Sequence, residues 1–408
     1  MRWIFLILGV INLIILGNPI FSSPRIKLGV EVLLEDNIKL IKGKRIGLIT
    51  NQTGVDSFLK SDIELLARIP DVKLVALFGP EHGIDGSIPR GTYVKSYIDK
   101  DTGIPVYSLY GDTRKPTKDM LKGLDVLLFD IQDVGTRYYT YISTMALAME
   151  SAKENGIDFI VLDRPNPLNG ISVEGPILEP SFSSFIGMYP IPLRHGMTIG
   201  ELAQLFNREF KIDAKLTVVP MKGWTRDMWF DNTGLNWVIS SPNMPDFEAV
   251  LLYPCTGPIG DTNISVGVGT TKPFHFIGAP YIDASALIKE LEKENLPGVI
   301  FRKAHFIPQF DKYEKEVCNG IELFVTDRRG FKPVETCLTI IEVIRRLYPG
   351  RFNWGDRSGG RYFFDLSMGT DKVRLSIEKG LSAKEIEGLW AKDLEEFMTI
   401  RERYLIYR

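Results

Sequence analysis

Five short apolar runs recur along the first part of the chain, and each stops abruptly at a polar loop marked by glycine or proline. They are "KRIGLIT" (44–50), "VKLVALF" (72–78), "IPVYSLY" (104–110), "DVLLFDI" (125–131) and "DFIVLD" (158–163). Runs rich in Val, Ile, Leu and Phe, without polar alternation, suit strands covered on both faces, as in a parallel sheet. Helical patterns lie between and after them. "SDIELLARI" sets Ser61 three residues before Glu64, and "TIGELAQLFNREF" sets Thr198 three before Glu201, both capping-box spacings. "TYISTMALAMESAKENG" ends at Gly156, a natural C-cap. The alternation predicts an α/β fold whose N-terminal subdomain, residues 25–220, is a Rossmann-like open, mainly parallel sheet. A strand at 321–327, a helix at 336–348 and a last helix from Ser382 to about Arg403 predict a smaller C-terminal α/β subdomain, residues 221–408. The Gly-, Pro- and Asn-rich stretch 237–280 shows no clear period.

Composition narrows the function by exclusion. The 408 residues carry a formal net charge of -2 and no strongly basic run, which argues against nucleic-acid binding and against a polybasic membrane patch. No GxGxxG follows the first strand, and neither GxxxxGK[ST] nor GxSxG occurs, so the usual dinucleotide, P-loop and nucleophile-elbow chemistries are not expected. Cys255, Cys318 and Cys337 show no zinc-ligand spacing, and a pairing of Cys318 with Cys337 stays open. Residues 1–24 combine one Arg with an apolar run from Trp3 to Leu16 and a polar zone near Ser22 and Ser23. That pattern reads as a secretory signal, with retention as a membrane tether the alternative.

In an open α/β sheet, ligands bind beyond the carboxyl ends of the strands. The strand-end loops here hold Asn51, then Glu81 and His82, then Asp112 and Arg114, then Asp130, Arg137 and Tyr138, then Asp163, Arg164 and Asn166. Carboxyls, guanidiniums, amides and phenols in one place suit a hydroxyl-rich ligand such as a sugar. Glycoside cleavage usually needs one protonated and one ionised carboxyl, and burial favours the protonated form. Glu81, beside Pro80 and before a glycine turn, is the first candidate, and His82 the group that orients it. Glu174 precedes Gly175-Pro176 in a similar arrangement and is the second acid. Arg194 and His195 stand just before a capped helix, whose N-terminus attracts anions. Each has a plainer reading as a turn cap, a loop-closing Asx or an ion-pair partner. His275 and His305, flanked by apolar residues, read as structural.

The motifs "GLITNQTGVD", "LFGPEHG", "GDTRKPT", "FDIQDVGTRYYTYISTM", "DRPNPLNG", "VEGPIL", "PLRHGMTIGELA", "SPNMP" and "GTTKPFHFIGAP" follow one another in order. In this the chain resembles the exo-β-N-acetylmuramidase family over residues 26–408. The resemblance implies two α/β subdomains with the site in the cleft between them, and no cofactor. The implied reaction removes N-acetylmuramic acid from the non-reducing ends of peptidoglycan fragments. It places the catalytic acid at Glu81, with His82 and Glu174 beside it. Asn51, Arg137, Tyr138, Arg164, Asn166, Arg194, His195, Asn243, Asp261 and Asn263 become the substrate-binding candidates. One loop departs from the family pattern, which reads EGTNxSEGRGTT. Here "GDTNISVGVGTT" (260–271) has Gly260 and Val266 in place of acids, Val268 in place of Arg, and Asp261 as a new acid. Three readings follow: a glycosidase acting on cell-wall amino sugars, a non-catalytic glycan-binding protein, or a hydrolase of a neutral amino-sugar glycoside.

Overall fold

The computed structural model describes residues 26–100 and 102–408, so the expected signal segment lies outside the described residues. All five apolar runs are strands. β1 (Arg45–Thr50), β2 (Lys73–Gly79), β3 (Tyr97–Ile98), β4 (Pro105–Ser108), β5 (Val126–Asp130) and β6 (Asp158–Leu162) join one sheet. β7 (Glu174–Ile177) and β8 (Pro192–Arg194) form a separate antiparallel ribbon, and β9 (Leu216–Val219) returns to the large sheet. The order is β3-β4-β2-β1-β5-β6-β9, parallel throughout except for β3 at the edge. Helices α1 (Gly29–Asp36), α2 (Asp62–Ala67), α3 (Tyr141–Asn155) and α4 (Ile199–Glu209) accompany it. The α4 capping box forms as its spacing requires, and Gly156 ends α3 in the left-handed region at φ 70°. Ser61 caps α2 through Ile63 N, but Glu64 turns outward to pair with Arg68.

Helix α5 (Phe247–Gly260) lies inside the stretch whose sequence shows no period, because it holds Pro254 and Pro258. An interior proline costs about 3 kcal/mol in a helix. Burial outweighs that here: Ala249, Val250 and Leu251 enter the core of the large sheet, while Leu252, Cys255 and Ile259 enter the next core. The change of core therefore falls within α5, after residues 221–246 have packed largely with the first subdomain through Trp224, Trp229 and Met244. The second subdomain has α6 (Ala284–Leu291), α7 (Pro333–Leu347) and an antiparallel sheet of β10 (Phe276–Ala279), β11 (Val299–Phe306) and β12 (Cys318–Val325), in the order β10-β12-β11. Pro333 starts α7 three residues before the expected Thr336, as proline favours a first helical turn. The expected last helix is broken: Ser382 caps a short helix (Ala383–Glu387), and a 3-10 turn at Gly388–Trp390 separates it from Ala391–Arg401. All three cysteines are buried and unpaired.

After that helix the chain returns to the large sheet. The Tyr407 hydroxyl donates to Asp163 Oδ2 at 2.6 Å and accepts from Met221 N at 2.8 Å. Asp163 Oδ1 accepts two backbone N–H groups, from Gly200 at 2.7 Å and Arg164 at 3.0 Å. Oδ2 also meets the Thr198 hydroxyl at 2.8 Å. Burial pushes the Asp163 carboxyl from 3.8 up to about 7, against the pull of these donors. A carboxyl raised on folding binds more protons in the native state, so its contribution is full below pH 3.8 and is lost as pH rises through about 7. Asp163→Asn keeps the amide-accepting oxygen, and its NH₂ meets two hydroxyls able to rotate. Denaturant unfolding at several pH values should therefore show a flatter stability curve between pH 4 and 7 in this variant. An unchanged slope would refute the assignment.

Candidate active site

β2 ends at Gly79, and the chain then turns sharply through Pro80, Glu81, His82 and Gly83. His82 and Gly83 both take the left-handed region, with φ 72° and 76°. For a non-glycine residue this is costly and persists only where the surroundings over-determine it. They do here: Gly83 N bonds Pro80 O at 3.0 Å, Ile88 N bonds His82 O at 3.2 Å, and His82 Nδ1 lies 2.7 Å from Ile88 O. The turn aims Glu81 inward, where it is 6% exposed. Its Oε1 accepts Gly91 N at 3.1 Å, and its Oε2 accepts the Thr140 hydroxyl at 2.8 Å. Thr140 stands at the N-cap of α3 but makes no side-chain cap, its hydroxyl being engaged with Glu81. His82 is thus the group that shapes the turn carrying the acid.

Glu81 faces a cleft of 390 Å³ that both subdomains line. Tyr138, Tyr139, Tyr253 and Phe274 form an aromatic wall; Tyr138 and Tyr253 are 5.0 Å apart between ring centres, Tyr253 and Phe274 4.8 Å. Their edges are fixed: Tyr138 donates to Tyr253 O at 2.7 Å and Tyr139 to Ser240 Oγ at 2.8 Å. Such a wall offers apolar ring faces beside ordered polar groups, as binding of an amphipathic ring requires. Tyr110 lies against Glu81, and burial first, then the Glu81 charge, raise its phenol to about 12. Asp261 enters from the end of α5, bonded by the Ser367 hydroxyl and 3.9 Å from Arg90. Burial raises its carboxyl, and Arg90 opposes the shift. Among the described residues, no group of three or more His, Cys, Asp or Glu is placed to hold a metal ion.

Of the residues singled out by sequence, the cleft gathers Glu81, His82, Tyr138, Asn243 and Asp261. The others lie outside its lining and hold the frame. Asn51 folds its own loop by accepting Thr53 N at 2.9 Å. Arg137 gives its guanidinium to three backbone carbonyls. Arg164 pairs with buried Asp130 and reaches Val55 O at 2.9 Å, filling the crevice between β1 and β5 where a dinucleotide would sit. Asn166 closes its loop onto Leu168 N at 2.9 Å and Met197 O at 2.9 Å. Glu174 is held by Arg194 at 2.5 Å, and burial raises its carboxyl while Arg194 opposes that. His195 is fully buried, its Nδ1 accepting Met197 N at 3.2 Å. Asn263 ties its loop to Arg351 O at 2.8 Å and Asn353 N at 3.0 Å.

Sequence reasoning missed Arg90, Tyr110, Phe185 and Tyr253 as lining residues, left Tyr139, like Tyr138, open between core and sugar platform, and left Arg114 as one polar residue among many. Arg114 had a signal, because it follows a strand end in "GDTRKPT"; Arg90, in a loop without period, had none. In loop 260–271 a Cβ on Gly260 would lie 2.9 Å from a Val266 methyl, so glycine and valine fit together there. Val266 lines the cleft, whereas Val268 packs on the core of the second subdomain.

The family model described as Exo-beta-N-acetylmuramidase NamZ, N-terminal, matches residues 46–248, and its C-terminal counterpart matches 251–407. The chain is 55% identical over 390 residues to the peptidoglycan beta-N-acetylmuramidase NamZ of Bacillus subtilis, covering 96% of this chain and 93% of that protein. Two crystal structures of DUF1343 family proteins from Bacteroides fragilis superpose with TM-scores of 0.87 and 0.77 at 42% and 32% identity. Each alignment covers 94% of this chain and 99% of the other.

Because Glu174 is held by Arg194 outside the cleft, Glu174→Gln should leave kcat on a glycoside substrate unchanged and lower stability. The cost should fall below the ~3–5 kcal/mol of a fully buried pair, since the Glu174 side chain keeps 21% exposure. Kinetics beside denaturant unfolding decide, and a large fall in kcat in a stably folded variant would return Glu174 to the reacting groups.

Proposed function

The chain belongs to the exo-beta-N-acetylmuramidase NamZ family and is a glycoside hydrolase; from that premise we propose that it removes β-linked N-acetylmuramic acid from the non-reducing ends of peptidoglycan fragments, with Glu81 as general acid. The observation that carries this reading is the placement of Glu81: buried, fixed at both oxygens, and facing a cleft walled by aromatic rings from both subdomains. A general acid must hold its proton toward the leaving oxygen, and a carboxyl whose plane is set by an amide and a hydroxyl has little freedom to turn away. Tyr110 and His82 support this geometry, the first by lying against Glu81 and the second by holding the turn. The aromatic wall supplies the apolar surface for the sugar ring, and Asn243 a neutral hydrogen-bonding group at its edge. Asp261, tied to Ser367, is a second carboxyl lining the cleft, its side chain 8% exposed.

Such a substrate is found outside the cytoplasm. The charged start and apolar run of residues 1–24 support export, with a membrane tether as the variant of the same route. Among the described residues, no helix is long and apolar enough to cross a membrane. The exported protein should begin near Pro24 or Arg25 on N-terminal sequencing, and a full-length cytoplasmic chain would end the export reading.

Glu81→Gln should fold as the wild type does and lose roughly 10²–10⁴-fold in rate on a natural disaccharide, the range of acid–base assistance. The loss should shrink with activated aryl leaving groups, which need less protonation. A variant that turns over the disaccharide at the wild-type rate would leave Glu81 a structural residue.

A further inference from the structure

The proposed substrate carries one charge that a neutral amino sugar lacks, the carboxylate of its lactyl ether. Selecting it requires a cation within reach of the cleft. Loop 260–271 holds no cation: Val266 lines the cleft, and Lys272, the residue after the loop, pairs with Glu322 on the second subdomain's sheet. Arg164 and Arg194 are buried against Asp130 and Glu174, and Arg137 is committed to backbone carbonyls. The guanidinium groups that line the cleft are those of Arg90 and Arg114.

The two differ in what they already face. Arg90 lies 3.9 Å from Asp261 and also feels Asp311, so an acid of the protein itself partly answers its charge. No carboxylate pairs with Arg114 among the described residues. Its Cζ sits over two rings instead, 4.2 Å from the centre of Phe185 and 4.9 Å from that of Tyr110. Those rings are 5.8 Å apart and come from different loops. Among the described residues no N–H group of Arg114 donates to a side-chain or backbone acceptor. The two rings therefore hold Arg114 in place while its fork of donors stays unspent, the state best suited to a planar carboxylate. Tyr110 links this cation to the chemistry, since the same residue lies against Glu81.

We infer that Arg114, held by Tyr110 and Phe185, is the specificity-determining residue that receives the lactyl carboxylate. The inference rests on the proposed substrate, so its test reads binding separately from turnover. Isothermal titration of free N-acetylmuramic acid and of N-acetylglucosamine gives the ratio of the two affinities for the wild type, Arg114→Gln, Arg114→Lys and Arg90→Gln. The wild type should favour the acidic sugar, and Arg114→Gln should reduce that ratio by about 10- to 150-fold, the range for a charge-assisted contact. Arg114→Lys should recover part of it, because a point charge replaces the fork. Arg90→Gln should keep the ratio. A ratio that survives Arg114→Gln, collapses in Arg90→Gln instead, or is absent from the wild type would overturn the inference. Wild-type turnover of a chromogenic β-N-acetylmuraminide is measured beside it. Its absence would remove the hydrolytic reading while the affinity ratio still judges Arg114.

Discussion

A buried guanidinium that answers to carbonyls rather than to an acid joins the segments around the cleft. Arg137 Nη1 donates to Pro176 O at 2.7 Å and Ile191 O at 2.6 Å, and Nη2 donates to Ser367 O at 2.8 Å. The first two carbonyls belong to the ribbon region of the first subdomain, and the third to a helix of the second. Burial without a counter-charge pushes the group down to about 9, so its charge is costly and only these contacts offset the cost. A lysine could not span three carbonyls from one planar head. Tyr138, next in the chain, forms part of the aromatic wall, and the Ser367 hydroxyl bonds Asp261. The positions of the wall and of the second acid thus both depend on Arg137.

Two further devices set the end of the cleft that holds Glu81. The left-handed turn at His82 and Gly83 brings Glu81 back over the end of the sheet, and Gly91 N and Thr140 fix it there. Strands β1, β2 and β5 end level, with Ile49 opposite Phe78 and Thr50 opposite Asp130, so their loops emerge side by side. The C-terminal segment locks the loops after β6: Arg401 donates to Gly196 O at 2.7 Å and also reaches Gly170 O, and Tyr407 closes on Asp163. Burial, then repulsion from Arg226, lowers Arg401 to about 10. The last residues of the chain are in this way part of the first subdomain's frame.

The large sheet was legible because its signal is local. A strand covered on both faces must be apolar along its length, and Ile46, Leu48, Leu77, Val126, Phe129 and Phe159 are all buried. The capping boxes at Thr198 and Ser382 are equally local, each spanning four residues. Helix α5 was not legible, since its two prolines speak against a helix and only contact with two cores outweighs them. Among polar residues the limit is similar. Arg164 and Arg194 look in sequence like ligand-binding residues at strand ends, yet each lies buried beside an acid whose charge it must answer.

The sequence alone determined the fold class, the edge of the sheet where polar loops gather, the family, and the constrained turn that carries Glu81. Each follows from residue type and spacing over a few positions, or from motifs in order. Only the tertiary structure decided which of the gathered polar residues are free to meet a ligand. A guanidinium facing Asp130 or Glu174 is spent, and one lying over Tyr110 and Phe185 is not. That difference depends on partners far apart in the chain, so no local pattern records it. It also explains how a cleft bordered by the apolar Val266 still holds two arginines, because Arg90 and Arg114 come from other loops.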